Sequence, residues 1–215
     1  MSTPLTNVTL PHALADLTAR DVRLAHIVAD YGPPPLWARE PGFPTLLRII
    51  LEQQVSLASA QAAFDRLLAV ASPLTPERFL ELDDATLKTA GFSRQKTRYG
   101  RELAGAILSG SLDLNALDAL DDEAVRAALT KVVGIGRWTA DIYLLMALCR
   151  PDAWPTGDLA LATAARHALE LAATPRTAEL EAIGEAWRPW RAVAARVLWH
   201  FYLSGGTKKN SAEAS

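Results

Sequence analysis

Two short stretches of this 215-residue chain carry residue types whose spacing could do chemistry. The first is Lys131-Val132-Val133-Gly134-Ile135-Gly136-Arg137-Trp138-Thr139-Ala140, in which two glycines bracket one apolar residue. Apolar residues recur at helical spacing over 124–131 and again over 139–148, so the stretch reads as helix, tight hairpin, helix. Glycine at 134 and 136 permits positive φ and close approach of another backbone, and the second helix starts there with its first amides unpaired. Amides in that state favour a phosphate. The second stretch is Trp154-Pro155-Thr156-Gly157-Asp158, where an acid opens a helix. On spacing alone Asp158 is an N-cap whose carboxylate accepts the first amides, and such donors favour the ionised carboxylate.

Helices must position these residues, and the sequence supplies little else. Residues 11–31 have helical periodicity and stop at Gly32-Pro33-Pro34-Pro35, where three prolines cannot continue a helix. Proline and Trp37 make the next stretch an ordered linker. Spacing predicts helices over 45–53 and 57–70, the second capped by Ser56, and a short one after Thr75-Pro76. Others are predicted over 84–90, ending at Gly91, and over 94–108, capped by Ser93 and leaving Arg94, Lys96, Arg98 and Arg101 toward solvent. Beyond the hairpin, 158–171, 177–187 and 189–203 are helical by period. No segment alternates as a strand does, so the expected fold is all-α with about ten helices. The tail 205–215 is Gly, Lys, Asn and Ser, and is expected to be disordered.

Half the residues are apolar and 21% are charged, the balance of a soluble globular protein. No run approaches the roughly 20 apolar residues of a membrane span, and the start has neither the basic region nor the apolar core of a signal peptide. The single cysteine, Cys149, excludes an internal disulfide and a four-cysteine iron–sulfur cluster, and is expected to be a buried, inert thiol. Four scattered histidines carry no ligand spacing, so no transition metal is implied. The net charge of −2 weighs against a strongly basic nucleic-acid binder. Its distribution matters more: Arg94, Lys96, Arg98 and Arg101 cluster, as do Arg188, Arg191 and Arg196. Locally basic faces on a neutral body suit an enzyme that binds DNA and lets go.

Leu129-x-x-Val132-x-Gly134-Ile135-Gly136-x-x-Thr139-Ala140 resembles the helix-hairpin-helix of the base-excision DNA glycosylase superfamily, and Gly157-Asp158 falls where that family carries its catalytic Asp. With Ile50-Leu51-Glu52-Gln53-Gln54-Val55-Ser56 upstream and Trp187-Arg188-Pro189-Trp190-Arg191 downstream, the chain resembles the alkylbase branch over roughly residues 41–203. The resemblance implies two helical lobes with the active site in the cleft between them. In residue numbers the expected division is 1–40, an N-terminal helix and Pro-rich linker packing with the C-terminal lobe; 41–118, a central lobe; 119–204, the hairpin and catalytic lobe; and the tail 205–215.

The resemblance also implies roles. Asp158 would stabilise the oxocarbenium-like sugar as an N-glycosidic bond breaks, the electrostatic logic of carboxylates in glycoside hydrolysis. Trp138 stands where strand-cleaving relatives carry a nucleophilic lysine, so the activity would be monofunctional, with water as nucleophile. Trp138 and Trp199 match base-pocket positions, where indole attracts a cationic alkylated purine that has been flipped from the duplex. Leu159 and Ile142 stand where some relatives carry aromatics, which bears on substrate range. Gln53, Gln54 and Ser56 match the wedge region, with Gln54 the inserted side chain, and Gly134, Gly136, Arg137 and Thr139 match the phosphate grip. In relatives a monovalent cation bridges hairpin carbonyls, here those of Thr130, Val132 and Ile135, and no further cofactor is implied. The expected partner is double-stranded DNA containing damaged bases, met by a monomer at no membrane, in the cytoplasm at the nucleoid if the source is bacterial. The alternatives are a non-catalytic helix-hairpin-helix DNA binder, an all-α protein-interaction domain whose hairpin is only a turn, and a glycosylase for a different damaged base.

Overall fold

The computed structural model describes residues 3–207, which form twelve α-helices and one 3₁₀ turn with no strand. The chain divides into two compact units, one of residues 39–148 and the other of 3–38 with 149–207. The hairpin therefore belongs with the central residues and not, as expected, with the catalytic segment after 148. The reason is local: the hairpin's second helix packs on a helix of the central unit.

In the first unit, α3 (Phe43–Glu52) is the axis, with seven of its ten residues buried. Its Leu46, Leu47, Ile49 and Ile50 are fully enclosed by α4 (Leu57–Val70), α7 (Arg94–Leu108) and α9 (Arg137–Met146). Short helices α5 (Pro76–Glu81) and α6 (Asp84–Ala90) pack on α7 and α4 respectively, and α8 (Asp122–Leu129) follows the 3₁₀ turn Asn115–Ala119. The predicted caps are in place: Ser56, Thr75 and Ser93 accept from Ser59, Arg78 and Lys96 amides, and Gly91 ends α6 in the left-handed region at φ 103°.

In the second unit the corresponding axis is α12 (Arg191–Leu203), buried continuously from Arg191 to Trp199. A helix apolar all round must lie inside other helices, and α1 (Thr9–Arg20), α2 (Val22–Tyr31) and α10 (Leu159–Ala168) surround it, with α11 (Thr177–Glu185) completing the unit. The periodicity over 11–31 thus belongs to two helices, not one. Asp21 breaks them, taking extended dihedrals and capping the Arg23 and Leu24 amides. The proline-rich linker is ordered because the buried Arg196 donates from Nε to the Leu36 carbonyl at 2.7 Å. Burial lowers that guanidinium to about 10.

The expected disorder from 205 onward is corrected for its first residues. Gly206 and Thr207 are buried, Gly206 against the Phe201 ring and the Tyr31 hydroxyl. The remainder of the tail, 208–215, lies outside the described residues. The second basic cluster is also corrected. Arg191 is buried and bidentate to Asp152 at 2.9 Å through both Nε and a terminal nitrogen, and also meets Glu181 and Glu185. Arg188 pairs with Asp152 and Glu185, and Arg196 is 0% exposed. Arg191 and Arg196 are internal struts, and the exposed Arg188 is already paired with two carboxylates.

Asp21 reports on the second unit's integrity. Burial would raise its pKa, but hydrogen bonds from Arg23, from the Trp187 indole and from the Arg23 amide bring it down from 3.8 to about 2. Because the folded pKa is the lower one, this stabilisation is present above about pH 4 and is lost as pH falls through about 2. Acid titration of unfolding free energy is expected to show a drop across that window that Asp21→Asn flattens. An identical acid limb in the variant would refute the role.

Candidate nucleic-acid interface and carboxylate site

The hairpin is built by backbone and braced from outside. The Val132 amide donates to the Leu129 carbonyl and the Ile135 amide to the Val132 carbonyl, closing the turn between α8 and α9. Gly134 takes φ 96°, and the Tyr99 ring of α7 lies where a Cβ would be. Gly136 differs: φ −91° and ψ 178° are extended backbone open to any residue, and no atom lies within 4 Å of its Cβ position. The expected need for positive φ thus applies to Gly134 alone. What Gly136 leaves is open space at the start of α9, where no side chain caps the helix.

Beneath the turn, Arg126 of α8 donates to Asp141 of α9 at 2.6 Å. The Asp141 side chain is 1% exposed, and Arg137 Nε stands 3.8 Å from its other oxygen. Burial works against the Arg126 guanidinium, but Asp141, Glu123 and Asp122 offset it and hold its pKa above the ordinary arginine value.

Two residues expected at the DNA prove to be part of this bracing. Gln53 Nε2 donates to the Gly134 carbonyl and to Thr139 Oγ1, both at 3.0 Å. Thr139 is 1% exposed, so its hydroxyl is committed inward. The neighbouring Gln54 is exposed and sits at φ 56°, a conformation costing a non-glycine residue on the order of 1 kcal/mol and concentrated at functional sites. Its corner is held on the α3 side, where Lys96 Nζ donates to the Leu51 carbonyl at 2.6 Å and Arg39 grips Glu52 bidentately at 3.0 and 2.8 Å. Lys96 is therefore not solvent-facing, as its place on α7 suggested, and burial lowers its pKa. Ser56 is exposed and caps α4.

In the second unit, Trp154 anchors the approach to Asp158. Its ring is buried edge-on against Trp187 at 5.4 Å, and its Nε1 donates to the Leu180 carbonyl at 2.9 Å. The Asp158 amide then donates to the Pro155 carbonyl. Oδ1 of Asp158 accepts from the Leu161 amide at 2.8 Å, the N-cap geometry of α10, and from Trp199 Nε1 at 3.1 Å. Trp199 is only 8% exposed, so its indole N–H serves the carboxylate directly. Leu159, beside Asp158, is 76% exposed. Trp138, the second residue of α9, is half-buried in the first unit, and Ile142 is buried. Cys149 is half-buried at the start of the second unit, its thiol pushed up by burial.

The contacts of Tyr99 and Lys96 carry no signal in the sequence, since each acts between helices distant in the chain, and the Arg126–Asp141 pair spans the hairpin with no periodic spacing to mark it. The two hairpin glycines separate experimentally. Gly134→Ala should destabilise by about 2–4 kcal/mol, combining left-handed strain with overlap on Tyr99. Gly136→Ala should stay within about 0.5 kcal/mol of the parent while weakening binding to any duplex. Equal stability losses, measured by denaturant unfolding, would refute the distinction.

A hairpin with an open helix start, a corner held in the left-handed region and a helix-capping carboxylate together match a known pattern. The HhH-GPD superfamily base excision DNA repair protein family matches residues 47–189. DNA-3-methyladenine glycosylase 1 of Schizosaccharomyces pombe is 29% identical over 181 residues, covering 82% of this chain and 79% of its own. The putative DNA-3-methyladenine glycosylase YfjP of Bacillus subtilis is 28% identical over 184 residues, covering 82% and 64%. Among solved structures, that of the S. pombe 3-methyladenine DNA glycosylase Mag1 in complex with abasic DNA superposes with a TM-score of 0.80 at 28% identity, covering 87% of this chain and 95% of that one. The family match spans both the hairpin and Asp158, and the chain belongs to the HhH-GPD superfamily of base excision DNA repair proteins.

Proposed function

We propose that this protein is a monofunctional DNA glycosylase that removes alkylated bases, 3-methyladenine and related purines, from duplex DNA by hydrolysing the N-glycosidic bond. The observation that carries the reading is Asp158 Oδ1, held between the Leu161 amide and the Trp199 indole. Those two donors fix the carboxylate's orientation before substrate arrives, and preorganised charge aimed at a developing cation is the largest catalytic term available to such a site. As the base departs, the C1′–N bond breaks, the deoxyribose becomes oxocarbenium-like, and Asp158 stabilises that charge until water adds at C1′.

Duplex recognition falls to the first unit. The α9 amides beyond Gly136 take a backbone phosphate, Gln54 fills the space that the flipped nucleotide leaves, and Trp138 offers an indole face for stacking. Trp138 is not an amine, so no Schiff base forms at its position and the strand stays intact. Of the three carbonyls proposed for a monovalent cation, that of Val132 accepts from Ile135, while those of Thr130 and Ile135 accept no backbone hydrogen bond among the described residues. Neutral oxygens on one tight turn, with no cluster of acidic or histidine ligands among the described residues, fit a singly charged ion. Bound there, it would add positive charge beside the phosphate. The relatives named 3-methyladenine glycosylases support the substrate class.

Asp158→Asn keeps the N-cap acceptor and the Trp199 bond but removes the charge, so excision from methylated DNA should fall by about 3 kcal/mol of barrier or more, with duplex binding retained. Excision within a few-fold of the parent would sink the assignment. Borohydride added during turnover should trap no enzyme–DNA adduct; a trapped adduct would overturn the monofunctional mechanism, and Lys131 would be the first residue to replace.

A further inference from the structure

Of the two basic clusters, one is taken up by carboxylate and carbonyl partners, and the other opens onto a groove of about 1140 Å³ in the first unit. It is lined by the α7 stripe Arg94, Arg98, Arg101 and Gly105, by Lys88 of α6 and by Lys131 at the hairpin. Five cations meet two carboxylates there, Asp84 and Glu102, in a chain whose net charge is −2. Asp84 is taken by Arg101 at 2.6 Å, and Glu102 approaches only Arg98, at 3.8 Å on an exposed surface. Among the described residues Lys88, Arg94 and Lys131 make no ion pair, and all three are exposed.

Two further features call for an anionic occupant. α7 has no acid in its first turn and begins Arg94-Gln95-Lys96, which sets cations against the positive end of the helix dipole, an arrangement disfavoured by roughly 0.3–1 kcal/mol per charge at an exposed site. The far end is lined by small side chains, among them Gly105, Ala106, Ser109 and Ala128, which admit a bulky backbone closely. The groove is also continuous with the hairpin, because Lys131, Val132 and Val133 line it. From Arg94 to Gly105 the stripe runs about 16 Å, the axial rise of roughly five base pairs.

We propose that this groove is a second phosphate track, which holds the sugar–phosphate backbone of the duplex where it continues past the phosphate taken by the hairpin. The proposal rests on duplex DNA being the substrate. The track reads no bases, so it adds affinity for any flanking sequence and sets how much DNA beside a lesion the protein needs for full binding.

The test compares the parent with the triple variant Lys88→Gln, Arg94→Gln, Lys131→Gln by fluorescence anisotropy over a salt series. One duplex carries a stable abasic analogue and extends several base pairs past the lesion on both sides; the other is trimmed to what the hairpin reaches. Each phosphate contact contributes about 0.9 to the slope of log K against log salt, so the variant's slope on the long duplex should fall by about 2–3. On the trimmed duplex it should be unchanged, and the thermal midpoint should hold or rise as cations leave the α7 start. An unchanged slope on the long duplex overturns the proposal, as does an equal fall on both. Polyglutamate competing as well as duplex per charge would assign the groove to an acidic protein and also overturn it. A slope loss confined to the long duplex in a protein that excises no base would uphold the track and sink the glycosylase reading. Normal excision with an unchanged slope would do the reverse.

Discussion

The Arg126–Asp141 ion pair, almost wholly inside the protein, is the contact on which the DNA-facing surface depends. α8 has eight residues and α9 ten, too few for either to persist in water on its own. Their shared turn offers two backbone hydrogen bonds and the buried side chains of Val132 and Ile135. The pair joins the helices below the turn, and leaving either charge buried without the other would cost about 3–5 kcal/mol. Everything above it inherits that rigidity: Gln53 ties the turn to the α3 corner, and Tyr99 presses on Gly134 from α7. The hairpin turn and the Gln53–Ser56 corner are thereby tied to each other within the first unit.

Helix starts do two opposite jobs here. Seven helices among those described, α2, α4 to α8 and α10, are capped by a side chain that accepts their first amides. α9 has no such cap and begins at Gly136, with open space where a side chain would stand. Its first amides meet no side-chain acceptor among the described residues. At α10 the cap is Asp158, whose carboxylate the Leu161 amide holds in one orientation, and Trp199 adds a second donor from α12. One helix start is left open, and the other is closed by a carboxylate that two donors hold.

Charge follows the same division of labour. The arginines of 188–196 are folded into carboxylate and carbonyl partners and hold the second unit together, whereas those of α7 face outward. The sequence presents both clusters alike, because composition counts charges and is blind to what lies opposite them. The neutral net charge therefore hides a concentrated positive surface.

Much of the fold was legible in the chain itself. Helical period, Ser, Thr and Asp caps and the Gly91 stop are local chemistry, so α4, α6, α7 and the hairpin emerged at or near their observed bounds, and the Gly-x-Gly turn and Asp158 stood out by type and spacing. What the sequence by itself determined was thus the set of helices, the turn and the acid. The tertiary structure alone decided that Asp21 splits the first periodic run, that the hairpin joins the central unit, and that Gln53 and Thr139 face inward. It also decided that Gly134 is the strained glycine while Gly136 is the open one. Asp21 acts as a local cap that the apolar period overrides; for the rest the physical reason is shared, since contacts between residues tens of positions apart leave no periodic trace and their energy is realised only after the helices have packed.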